Sequence, residues 1–289
     1  MRNRISTAAL PATRGLAAVA VKAGIDVSKW QGEINWPKVK AAGIDFAMIK
    51  AANGSNRGLY TIDSRFDQNI KGAVAAGIDA GVYMYSYALS VNAALGEAEY
   101  LIWLLEPYRK WITYPVAFDL EDDTQRNLGR TTLSAMARAF CDRVRAAGYV
   151  PMLYSNVDWL TNRVDIPAGV DLWLAQWGVS APSPKWPCTI WQKSDKGSVS
   201  GITGPVDMNV GYKDYAAAPE LPVADEKRYQ FVAELPDWAR PVIEKAIAQG
   251  ILRGSSAGGN ADGNLDLSHD MVRMFVFLER AGVFDNGDE

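Results

Sequence analysis

The residues best equipped for chemistry in this sequence are acidic. An apolar run, Tyr114–Phe118, leads into Asp119-Leu-Glu121, with Asp122 and Asp123 immediately after. On a strand, residues two apart share a face, so Asp119 and Glu121 would stand together, about 6.6 Å apart along the chain. Two carboxyls held that close push their proton affinities apart, leaving one protonated near neutrality to act as a general acid. An acidic loop after a strand would read the same way, so the pair alone does not decide. Asp26, in Gly24-Ile-Asp-Val-Ser28, and Asp207, in Gly204-Pro-Val-Asp-Met-Asn209, each interrupt a run otherwise suited to burial. An unpaired carboxylate there is costly. Either Asp taken singly could cap a helix or form a turn; four acids converging on one rim are a constellation.

Other chemistries are excluded by what the chain lacks. Its single histidine, His269, leaves no multi-histidine zinc site and no Ser-His-Asp triad. Cys141 and Cys188 lie far apart in no metal-like spacing; two free thiols are the plain reading, and a disulfide between them stays open. The Asp262–Asp266 loop lacks the spaced ligands and closing Glu of a calcium loop and reads as a solvated turn. No metal or cofactor is therefore expected. What remains is carboxylate chemistry, which suffices for glycosidic bonds. Ten Trp and twelve Tyr could supply platforms for sugar rings, although most buried aromatics are core. A net charge of −3 without a basic run gives no reason to expect nucleic acid.

These acids need a scaffold, and the apolar pattern supplies one. Strands are expected at Gly24–Trp30, Asp45–Ala51, Ala80–Tyr87, Tyr114–Glu121, Val150–Asn156, Leu172–Trp177, Thr189–Lys193 and Val206–Val210. Helices are expected at Pro37–Ala42, Asp63–Ala76, Asn92–Tyr108 and Thr131–Ala147. Three of them end in Ala-Gly, at Gly43, Gly77 and Gly148, the left-handed cap before a chain re-enters a strand. Strand, helix, Gly, strand, repeated, means βα units and a mainly parallel sheet. Helices thin out in the last third, so an α/β fold of the modified TIM-barrel kind is expected, with all four acids near strand ends.

At this point the residues resemble a known family. Gly24-Ile-Asp-Val-Ser-Lys-Trp-Gln-Gly32, Asp119-Leu-Glu121, Trp191-Gln192 and Val206-Asp-Met-Asn209 look like glycoside hydrolase family 25, the Chalaropsis-type lysozymes common in bacteria and phage endolysins. The resemblance covers roughly Gly24–Tyr215. It implies a barrel of eight strands with about five helices, and cleavage of the β-1,4 bond between N-acetylmuramic acid and N-acetylglucosamine in peptidoglycan. It also implies Glu121 as general acid, Asp119 assisting, and Asp26 and Asp207 lining the same site. Retention of configuration could run through a covalent carboxylate or through the substrate's own N-acetyl oxygen; the Asp-x-Glu spacing resembles other substrate-assisted hydrolases. Lys50, Tyr83, Tyr85, Tyr154, Asn156, Gln176, Trp177, Trp191 and Gln192 fall at strand ends as candidates for contact with glycan, with ordinary barrel packing as the alternative for each. Where the family usually has His after the third-strand Tyr, this chain has Met84, which puts third-strand contacts in question. A silent glycan-binding or phage structural barrel and a chitin-type hydrolase are the competing readings.

Four segments are expected: an extension, 1–22; the catalytic barrel, 23–215; a linker, 216–224; and a small, mostly α module, 225–289. In the module, Leu235–Gly254 resembles the first helix and turn of an S-layer-homology repeat. Binding of a secondary cell-wall polymer competes there with a packing or dimerisation role, so monomer and dimer both stay open. Pro11 and Arg14 interrupt what would be a signal-peptide core, so no clear secretory signal is read. No run reaches the ~18 apolar residues of a membrane span. The expected place of action is the bacterial wall, after secretion or release on lysis.

Overall fold

A computed structural model describes residues 21–56, 59–216, 228–252, 265 and 267–280. The 1–22 extension, the 216–224 linker and the Asp262–Asp266 loop fall almost wholly outside these residues. Nine strands form the main sheet: β1 (Lys22–Val27), β2 (Phe46–Asn56), β3 (Leu59–Ile62), β4 (Asp79–Tyr85), β5 (Ile112–Asp119), β6 (Pro151–Asn156), β7 (Asp171–Ala175), β8 (Ile190–Gly197) and β9 (Val206–Gly211). Eight of them close into a ring in the order β1-β2-β4-β5-β6-β7-β8-β9, because β1 pairs with both β2 and β9. Each expected strand forms, its ends displaced by a few residues. The barrel begins at Lys22, which pairs with Gly211.

Two features of the ring were not legible in the apolar pattern. β9 runs antiparallel to both of its neighbours. Asp207, near its N-terminal end, therefore shares a rim with the C-terminal ends of the parallel strands. β3 is a short antiparallel flap on the extended end of β2; with Leu59 and Ile62 exposed, it carries no burial pattern to reveal it.

Among the described residues, five helices wrap the barrel: α1 (Trp36–Ala41), α2 (Phe66–Ala75), α3 (Val91–Leu105), α4 (Arg130–Ala146) and α5 (Val157–Asn162). Gly43, Gly77 and Gly148 take φ of 87°, 73° and 82° behind α1, α2 and α4, the left-handed conformation their Ala-Gly pattern implied. α3 stops at Leu105 rather than Tyr108. Pro107 has no N–H to continue the ladder, and a 3-10 turn, Glu106–Trp111, follows.

The period-two alternation of the strands sorts side chains into two cores. Val82, Met84, Val116, Phe118, Leu120, Leu153 and Leu174 face outward and pack with helix residues such as Leu101, Leu133 and Phe140. Phe46, Met48, Ala117, Met152, Tyr154, Trp173 and Ile190 fill the lumen. Close fit governs its floor: a Cβ on Gly24 would lie 2.2 Å from Cζ of Phe46, whose ring stacks on Tyr114 at 4.7 Å.

The C-terminal part contains β10 (Arg228–Tyr229) paired antiparallel with β11 (Leu267–Ser268), then α6 (Arg240–Ala248) and α7 (His269–Arg280). It has its own core of Tyr229, Leu235, Ile243, Leu267, Val272 and Val276. α7 lies against α6 and also against α3 of the barrel. Among the described residues, no helix is long and apolar enough to cross a membrane.

Candidate active site

The site is the upper lumen. Because β1 and β9 are antiparallel and Asp26 pairs with Asp207 in register, these two carboxyls face the same way from adjacent strands. Asp26 is buried, and its Oδ2 accepts from Gln192 Nε2 at 2.9 Å and Asn209 Nδ2 at 2.8 Å. The orientation of both amides follows from donor-only indoles. Trp173 Nε1 donates to Asn209 Oδ1 at 2.7 Å, and Trp177 Nε1 to Gln192 Oε1 at 3.2 Å, so each amide must turn its N–H toward Asp26. Tyr154 Oη adds a third donor, to Gln192 Oε1 at 3.1 Å.

Across the lumen β5 carries the acid pair. Phe118 and Leu120 pack outward, which turns Asp119 and Glu121 inward. The strand's pairing runs on beyond Asp119, since Leu120 N–H donates to the Tyr154 carbonyl at 3.2 Å. Asp119 is only 4% exposed, and its Oδ1 is buried with no hydrogen-bond partner. Glu121 faces a cavity of about 460 Å³ lined with Tyr154, Asn156, Ala175, Gln176 and Trp177. Asn156 holds it: its Oδ1 caps α5 by accepting Trp159 N–H at 3.1 Å, which leaves Nδ2 to donate to Glu121 Oε2 at 3.4 Å. A larger cavity, about 800 Å³, opens on the outer face between Trp36, Gly72 and Gly201, and none of the four lumen acids lines it.

Burial pushes all four carboxyls up from their ordinary range. For Asp26 the negative charge of Asp207 adds to burial. Asp207 is raised by burial too, an upward push that its closeness to Asp26 partly offsets. For Asp119, burial and then the charge of Glu121 raise it against the opposing pull of Lys50. Burial also raises Glu121, partly offset by the Asn156 hydrogen bond and by Lys50. Lys50 itself is lowered by burial, opposed by the charge of Asp119. The result is a low-dielectric site in which burial favours the protonated form of each carboxyl.

The remaining residues expected at the site divide. Lys50, Tyr83 and Tyr85 share the lumen: the Lys50 ammonium sits 4.8 Å from the centre of the Tyr85 ring and 6.0 Å from that of Tyr83. Tyr85 Oη donates to Asp122 Oδ2 at 2.9 Å. Met84 points outward into the helix-facing core, so its departure from the family's usual residue leaves Tyr83 and Tyr85 in the lumen. Trp177, 51% exposed, lines the Glu121 cavity beside Gln176. Gln176 is partly engaged already, accepting Ser183 N–H at 2.8 Å. Trp191 stands on the opposite face of β8 from Ile190 and Gln192, is buried, and donates its indole N–H to the Gln176 carbonyl at 2.8 Å, bracing the loop that presents Trp177. Asn209, Trp173 and Asp122 were not among the expected site residues. Asn209 could have been found, since it lies two residues from Asp207 on the same face of the same strand; Trp173 looks like any core aromatic.

A closed α/β barrel with convergent carboxyls at its C-terminal rim, one facing an aromatic-walled cavity, has the equipment of a glycoside hydrolase. The chain belongs to that class and specifically to glycosyl hydrolases family 25, whose sequence profile matches residues 25–202. Over 216 residues it is 34% identical to Lysozyme M1 of Streptomyces globisporus, covering 68% of this chain and 70% of that one. The fold matches the bacterial lysozyme of Streptomyces coelicolor with a TM-score of 0.53 at 30% identity, over 71% of this chain and 97% of the other. It also matches the modular autolysin LytC of Streptococcus pneumoniae, solved in complex with a synthetic peptidoglycan ligand. There the TM-score is 0.57 at 26% identity, over 66% of this chain and 46% of that one. This chain thus spans less than half of that autolysin.

Proposed function

We propose that this protein is an N-acetylmuramidase that hydrolyses the β-1,4 bond between N-acetylmuramic acid and N-acetylglucosamine in peptidoglycan. The observation that carries the reading is the pairing of a shielded, hydrogen-bonded Glu121 on an open cavity with a buried Asp119 whose Oδ1 has no partner. Burial favours the protonated form of Glu121, which donates to the leaving oxygen. Asp119 accepts the N–H of the substrate's acetamido group and aims its carbonyl oxygen at the anomeric carbon, which suits a substrate-assisted retaining route. The Asp26–Asp207 pair shapes the floor of the groove, and the free face of Trp177 stacks on a sugar ring. Names borne by relatives, Lysozyme M1 and an autolysin with a bound peptidoglycan ligand, support the substrate.

By its resemblance to an S-layer-homology repeat, the C-terminal module holds the enzyme to a secondary wall polymer, with self-association as the competing role. Action is then at the bacterial wall, after secretion or release. A silent glycan-binding barrel has no use for a shielded proton donor on an open cavity. The test compares products from purified peptidoglycan and from chitin, for wild type and Glu121→Gln. The expected result is muramic-acid reducing ends from peptidoglycan only, with a loss of at least about a hundredfold in the folded variant. Cleavage of chitin alone, or a fully active Glu121→Gln, would reject it.

A further inference from the structure

One buried acid takes no part in this chemistry. Glu97, on α3, is 1% exposed and lies behind the rim, outside the groove. Its Oε2 accepts the Ser86 hydroxyl at 2.7 Å and its Oε1 the Tyr87 N–H at 2.9 Å. Ala88 N–H donates to Ser86 Oγ at 3.2 Å, tying the turn to the same hydroxyl, and the N–H groups of Ala88 and Ser55 add to the field that favours a charge on Glu97. No ion pair reaches it among the described residues, so neutral donors hold a buried carboxylate. The backbone is shaped to admit it: a Cβ on Gly54 would fall 1.8 Å from Oε1. Gln125, fully buried in the loop after β5, donates to Ser86 Oγ at 3.1 Å and to the Ala88 carbonyl at 2.8 Å, drawing a third rim segment into the same knot.

This knot touches the site through the backbone. Ser86 N–H donates to the Asp119 carbonyl at 3.0 Å. Ser86 is flanked by Tyr85, which bonds Asp122, and by Tyr87, whose ring packs against Tyr85 at 5.2 Å. We infer that Glu97 is a positioning residue: its carboxylate binds the end of β2 and the β4–α3 turn into one unit and thereby fixes Tyr85 and the backbone of Asp119. The Ser86 O–H and Tyr87 N–H donors favour the ionised form, because a protonated oxygen would face them with another hydrogen. Burial opposes this and raises Glu97 to about 7. The Tyr60 phenol of β3 feels the charge of Glu97 and is itself raised by burial.

The activity readout rests on the proposed muramidase reaction; amide exchange does not. Glu97→Gln keeps the shape of the protonated acid and removes the charge. In the folded variant, kcat on soluble peptidoglycan chains should fall by about tenfold at pH 8, with little change in KM, since misplacing a reacting group costs rate. The ratio of wild-type to variant kcat should approach one at pH 5, where Glu97 is protonated. Amides of Ser55, Tyr87 and Ala88 should exchange faster in the variant at pH 8. A ratio that does not change with pH, or unchanged exchange at those amides, would overturn the inference. Should wild type fail to cleave peptidoglycan, the substrate reading falls while the exchange data still decide Glu97. If Glu97→Gln does not fold, Ser86→Ala carries the test: faster exchange at Tyr87 and Ala88 is expected, and unchanged exchange rejects it.

Discussion

At the scale of single residues, the site is a set of carboxyls kept where water cannot easily reach them. Asp26, Asp119, Glu121, Asp207 and Glu97 are all raised by burial, and this has a consequence for stability with a definite sign. A carboxyl whose folded affinity for protons exceeds its unfolded affinity adds stability that is complete below the unfolded value, near 4. That stability is lost as pH rises through the folded value. Mild acidification from pH 8 toward pH 5 should therefore raise the melting temperature. Asp119→Asn removes the cost of a buried charge beside Glu121, a gain that exceeds the lost attraction of Lys50. It should stabilise the fold at pH 8 and flatten the pH dependence. Calorimetry across this range checks both; a variant less stable than wild type at pH 8 would contradict the sign.

At the scale of elements, the short helix α5 does two jobs through one residue. Asn156 caps it with Oδ1 and holds Glu121 with Nδ2. The two tasks reinforce one another, since the cap decides which end of the amide faces the acid. Asn156→Ala should cost about 1 kcal/mol of stability, the usual value of a lost cap. It should also remove a hydrogen bond that lowers Glu121, so the proton affinity of the acid rises further. The alkaline limb of the kcat/KM profile, which reports the general acid, should then move to higher pH. A limb displaced to lower pH would show that Glu121 is not the group being read. Period-two alternation in the strands explains why these elements were accessible from sequence: a residue's parity decides whether it enters the lumen. The Trp191-Gln192 motif spans both parities, and Gln192 is the one that faces Asp26.

For the whole molecule, the barrel is complete before the C-terminal part begins. β9 closes on β1, and all four of the site's acids lie at or before Asp207. The C-terminal part has a core of its own and meets the barrel through α7 on α3. Removing residues 225–289 should therefore leave a folded barrel of somewhat lower melting temperature that still cleaves soluble chains. A module that binds wall polymer raises local concentration only at an insoluble substrate, so the truncated protein should lose activity on intact walls alone. Measuring both substrates, with light scattering for mass, separates this from a role in dimerisation. Equal loss on both would reject anchoring.

The sequence by itself determined the strand and helix order, the three glycine caps and the identity of the four lumen acids, because these follow from short-range rules: apolar period, left-handed φ and the cost of a lone carboxylate in an apolar run. Ring closure was expected from the same pattern, but the direction of β9 was not, since antiparallel and parallel strands share one alternation. Only that direction brings Asp207 into register with Asp26. The flap β3 has no buried face to pattern it, and Glu97 looks like an ordinary helical Glu until the rim segments are folded against it. Hydrogen bonds between residues as distant in the chain as Asp26 and Asn209 have no local signature. They exist because closure brings the first and last strands together, and that is a property of the tertiary structure alone.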